Sequence, residues 1–76
     1  MKGLREVVGF LCSIEFDQHG DRWARTQGMP AFLVVVDLDM PMVKLRSEGG
    51  RDDFWINARE IRLLRTVRFV GNEVAV

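Results

Sequence analysis

With 76 residues, the chain is expected to form one domain, near the size at which a hydrophobic core alone supplies only about 3–5 kcal/mol. Hydrophobic side chains at 47% and charged ones at 29% exclude a disordered segment, and a single cysteine excludes an internally disulfide-bonded scaffold. Eleven basic and eleven acidic groups give a formal net charge of zero, which argues against a dedicated nonspecific nucleic-acid binder of the strongly basic type.

The longest apolar run, Ala31 to Val36, is too short to span a membrane as a helix, and the first residues carry no signal-peptide core. A soluble, cytoplasmic protein without membrane contact is the expectation. The charge is unevenly spread. Residues 1–39 hold four basic and six acidic groups, net −2, and residues 40–76 hold seven basic and five acidic, net +2. Much of the basic excess lies in Arg59, Arg62, Arg65 and Arg68.

In chain order, Val8, Phe10, Cys12, Ile14 and Phe16 are apolar at every second position, whereas Gly9, Ser13 and Glu15 interrupt the other phase. A period of two predicts a half-buried strand. Asp17 to Pro30 is polar, contains two glycines, and reads as a long loop of the kind that carries function. Ala31 to Leu38 is apolar on both faces, which predicts a central strand covered on both sides. Asp37, Asp39 and Pro41 end it. Met42 to Arg46 alternates and should pair with it as a hairpin, followed by a Ser-Glu-Gly-Gly turn. Asp53 to Asn57 predicts another strand, with one tight helical turn over residues 57–60 and Asn57 near its cap. Ile61 to Leu64 resumes the strand. A further short strand is expected with Val67 and Phe69 inward, before a turn at Gly71-Asn72. The core expected from these phases is Phe10, Ile14, Val34, Val36, Val43, Leu45, Ile56 and Ile61.

The segment FWINAREIRLL, residues 54–64, resembles the last third of SH3-like small barrels: an aromatic-bearing strand, a short helical turn and a closing strand with an Ile-x-x-Leu pattern. With the preceding hairpin, the likeness covers about residues 31–64. It implies an all-β, SH3-like barrel of five or six antiparallel strands. The tyrosine-bearing opening and tandem tryptophans of signalling SH3 domains are missing, so proline-rich peptide recognition does not carry over. Because such barrels host many functions, function has to come from the side chains.

Cys12 and His19 are each the sole residue of their kind, and the inferred core position of Cys12 separates it from a loop histidine. Neither a nucleophilic pair nor a four-ligand metal set can be assembled from them. Asp37 and Asp39, two apart on a strand, share a face but read as solvated acids that end it. No catalytic residue, metal or cofactor is expected. Partner-binding candidates are Trp23 between Arg22 and Arg25, and Trp55, which becomes a surface aromatic beside Arg59 if Phe54 and Ile56 are core. Arg62 and Arg65 complete the set. Residues three apart on a regular strand alternate faces, so Arg59, Arg62, Arg65 and Arg68 are not expected to form one stripe. The leading expectation is a noncatalytic interaction module that self-associates as a homo-oligomer and binds a protein partner. The alternative is a nucleic-acid-binding module using the arginine-rich C-terminal half and Trp23.

Overall fold

The computed structural model describes residues 3–17 and 30–71. Five strands, β1 (Phe10–Phe16), β2 (Ala31–Asp39), β3 (Met42–Ser47), β4 (Asp53–Asn57) and β5 (Ile61–Phe69), form one antiparallel sheet in the order β4-β3-β2-β1-β5. Two 3-10 turns, Leu4–Val7 and Ala58–Glu60, are the only helical pieces among the described residues. The fold is all-β.

The even phase of β1 faces the core, as its period of two requires. Cys12, Ile14 and Phe16 pack with Leu33 and Val35 of β2, Val43 and Leu45 of β3, and Ile56 of β4. Val7 from the first 3-10 turn joins this cluster. Each fully buried aliphatic side chain contributes roughly 1.5–3 kcal/mol. The strand begins at Phe10 rather than Val8, because the chain first makes the 3-10 turn, in which Glu6 N donates to Gly3 O and Gly3 N to Glu6 Oε1.

Gly9 then ties three segments together. Its N–H donates to Val35 O at 2.7 Å, and its carbonyl accepts from Val70 N at 2.8 Å and Gly71 N at 2.9 Å. It does so at φ 92, a conformation that glycine reaches without a Cβ penalty.

β2 is central, as its unbroken apolar run predicts, but only Leu33, Val34 and Val35 are buried, whereas Phe32 is exposed. Leu33 and Val35 belong to the main core, whereas Val34 stands opposite Leu11 of β1 and Arg46 of β3 on the other face. Val34 is buried as expected, on the outer face. The rest of the expected core needs two adjustments. Val36 is only half-buried, because a register shift between Val35 and Asp37 displaces it from the ladder. Phe10 and Ile61 are partly buried and pack against the cluster from outside.

The C-terminal half departs further from expectation. Ile61–Leu64 and the segment around Val67 are one continuous strand, β5, so the described residues form five strands, the lower of the two expected counts. Val67 and Phe69 do not turn inward; they are 40% and 65% exposed. Phe69 stands opposite Phe10, their rings meeting edge-on at 5.2 Å between centroids, but β5 is an edge strand and leaves it open on one side. The second 3-10 turn is as predicted: Asn57 Oδ1 accepts from Arg59 N at 3.0 Å and caps it. Asp17 N donates to Glu60 O at 2.7 Å and Ala58 N to Pro41 O at 2.8 Å, anchoring this turn to the end of β1 and to the β2–β3 connection.

Candidate interaction surface

The sheet's second face is built by the residues that alternate with the core. From β3 it receives Lys44 and Arg46, and from β4 Asp53 and Trp55, since Lys44 stands opposite Trp55 and Arg46 opposite Asp53. Arg46 donates to Asp53 through both Nε and Nη2, the latter at 2.8 Å to Oδ2, and Lys44 Nζ lies 3.6 Å from the same oxygen. The hydrogen bonds from Arg46 hold the Asp53 carboxyl below its usual range, with the two positive charges adding to the effect. Trp55 is 43% exposed, and the Lys44 ammonium sits 5.6 Å from its ring centroid. The expected surface tryptophan is thus present, with Phe54 and Ile56 on the core side and Lys44 against its ring. Arg59 is exposed on the second 3-10 turn.

The arginines of β5 correct the sequence reading. Glu15 stands opposite Arg62, Ser13 opposite Arg65 and Leu11 opposite Arg68, while Ile14 meets Leu63 and Cys12 meets Thr66. The register shifts twice, between Ser13 and Ile14 and between Leu11 and Cys12, leaving Leu64 and Val67 without an opposite residue on β1. Each bulge sets three residues of β5 against two of β1. A three-residue repeat on β5 therefore keeps step with the two-residue repeat of β1, and Arg62, Arg65 and Arg68 share the outer face. Arg59, on the turn, is outside this stripe. The one trace of this in the sequence is the repeat itself: arginine at every third position of a strand falls on one face only when bulges intervene.

Two of the three arginines have carboxylate partners. Arg62 Nη2 donates to Glu15 Oε1 within the β1–β5 pair. Arg68 Nη2 donates to Glu48 Oε2 at 3.1 Å, joining β5 to the β3–β4 turn. Arg68 faces Leu11, Leu11 faces Val34, and Val34 faces Arg46, so Leu11 and Val34 lie between the two segments that this ion pair connects. They are 2% and 5% exposed, a second buried layer on the outer side. Arg65 has no carboxylate within ion-pair distance among the described residues. In its row, Ser13 stands opposite both Arg65 and Phe32, and Phe32 is 47% exposed.

Arg22, Trp23 and Arg25, with His19, lie outside the described residues. Cys12 is fully buried, and burial pushes its thiol pKa up, away from the thiolate that nucleophilic chemistry needs. Asp37 and Asp39 stand opposite Lys44 and Met42, and no group of three histidine, cysteine or acidic residues is placed to hold a metal ion among the described residues. No helix among them is long and apolar enough to cross a membrane. Compared with known proteins, the chain matches no family model, no curated protein and no solved structure.

Proposed function

We propose that this chain is a small noncatalytic interaction module, an SH3-like barrel that associates with itself and binds a protein partner through β5. The observation that carries the reading is the exposure of Leu64, Val67 and Phe69 together on one nine-residue edge strand. Large apolar side chains grouped at a sheet edge mark association surfaces. The two bulges twist this edge and its arginines guard it, which disfavours simple extension of the sheet by a foreign strand. Contact through side chains, with the same patch used on both copies, fits better. The SH3-like assignment is supported by the strand order and by the 3-10 turn between β4 and β5. A reducing compartment agrees with the lone buried thiol of Cys12.

Sedimentation equilibrium at micromolar concentration tests the reading. The expected mass is at least two copies of the 8.8 kDa chain, reduced toward one copy by Val67→Lys. A single-copy mass for the unaltered chain would overturn it.

A further inference from the structure

We infer that the outer face of β1 and β5 is a binding site for single-stranded nucleic acid, its backbone running along Arg62, Arg65 and Arg68. The inference uses residues other than Leu64, Val67 and Phe69, so it stands or falls separately from self-association. Three observations converge on it. The two bulges set the arginines opposite Glu15, Ser13 and Leu11, two residues of β1 apart, an interval of about 6.6 Å along the strand. That interval suits successive phosphates of one extended strand, and guanidinium groups bind phosphate through paired hydrogen bonds. The middle arginine, Arg65, is exposed and has no carboxylate within ion-pair distance among the described residues. In the same row, two strand spacings or about 9–10 Å away, Phe32 presents an exposed ring. A nucleotide whose phosphate rests on Arg65 can lay its base on Phe32, a stacking contact that tolerates any base.

The partners of the outer two arginines do not block the site. Arg62 and Arg68 are 73% and 58% exposed, and exposed ion pairs of this kind are weak, so a phosphate can replace Glu15 or Glu48. The net neutrality of the chain lowers the long-range attraction but leaves these local contacts intact. An acidic peptide presents charge to the same guanidinium groups. The even spacing of the stripe and the aromatic ring in the Arg65 row favour the nucleic acid.

Fluorescence anisotropy with a labelled single-stranded oligonucleotide, at ~50 mM and ~200 mM salt, tests the site. Three neutralised phosphates predict binding roughly 20-fold weaker at the higher salt. Arg65→Ala should weaken binding at low salt and reduce that ratio to roughly sevenfold, because one phosphate contact is lost. Phe32→Ala should weaken binding about fivefold or more and leave the ratio unchanged, since stacking releases no counterions. Both side chains are exposed, circular dichroism checks that the variants fold, and Arg65→Lys, which retains the charge, should keep the parent salt ratio. The inference is overturned by absence of binding at ~50 mM salt. It is equally overturned if Arg5→Ala, off the stripe, costs as much as Arg65→Ala, or if poly-glutamate competes as well as the oligonucleotide while Phe32→Ala has no effect.

Discussion

Asp53 receives two hydrogen bonds from the guanidinium of Arg46, directly opposite it across the β3–β4 ladder, and so fixes the outer side of that hairpin. The pair is largely shielded, with side-chain exposures of 10% for Arg46 and 16% for Asp53. Its effect on stability has a definite sign with pH. The folded pKa of Asp53 lies below its unfolded value, so the contribution is complete above the usual aspartate pKa of about 3.9 and is lost as pH falls through the folded value. Asp53→Asn should lower Tm at neutral pH, and its deficit should shrink as pH is taken below about 4. A deficit that does not change with pH would show that the carboxylate charge is not what stabilises the hairpin.

Ile14 and Leu45 are fully buried in the main cluster. Replacing either by Ala should destabilise the protein by roughly 2–5 kcal/mol, a large part of what a domain of this size possesses. Urea unfolding at matched conditions measures it, and variants that unfold with the parent would place these side chains outside the core.

Alternation made β1, the β2–β3 hairpin and the core positions Ile14, Val43, Leu45 and Ile56 legible in the sequence, because a strand's period of two is a local property. The Asn57 cap was legible for the same reason. The bulges of β5 are a different matter, since a bulge is a mismatch between two strands, and Arg65 meets Ser13 only after the chain has built three strands in between. Assuming unbroken alternation split one strand into two, turned Val67 and Phe69 inward and scattered the arginines. Trp55 was legible as a surface residue once Phe54 and Ile56 were given to the core. The burial of Val34 was legible in the two-sided apolar run of β2, whereas that of Leu11 was hidden, because it depends on how the strands assemble rather than on β1 alone.

Gly9 offers a test of the junction where β1 begins. At φ 92 a Cβ is strained, and a backbone that leaves this conformation misplaces the hydrogen bonds to Val35, Val70 and Gly71. Gly9→Ala should cost at least about 1–2 kcal/mol, against the small gain that alanine brings where φ is negative. An alanine variant as stable as the parent would remove the need for glycine here.

The Cys12 thiol is enclosed by the core, and burial raises its pKa. Modification requires both exposure and the thiolate, so labelling should proceed through opening of the fold. With an opening free energy of ~3 kcal/mol, the native protein should react with a thiol reagent about 100-fold or more slowly than the urea-unfolded chain. Comparable rates in the two states would place Cys12 at the surface.

Leu11 and Leu64 separate the two-sided burial of the sheet from ordinary surface. Leu11 occupies the phase of β1 shared with Ser13 and Glu15, yet it is 2% exposed, opposite Val34 on one side and Arg68 on the other. Leu64 sits at a bulge of the edge strand and is 44% exposed. If the outer layer is packed as the register requires, Leu11→Ala should cost roughly 2–5 kcal/mol, as for a core leucine. Leu64→Ala should stay within about 0.5 kcal/mol of the parent, measured at a concentration low enough to keep the chain monomeric. Breaking the Arg68–Glu48 pair should cost much less than Leu11→Ala, because both of its side chains are more than half exposed and the apolar layer remains. Equal costs for the two leucines would mean that the outer face is open and that the sheet has a single buried side.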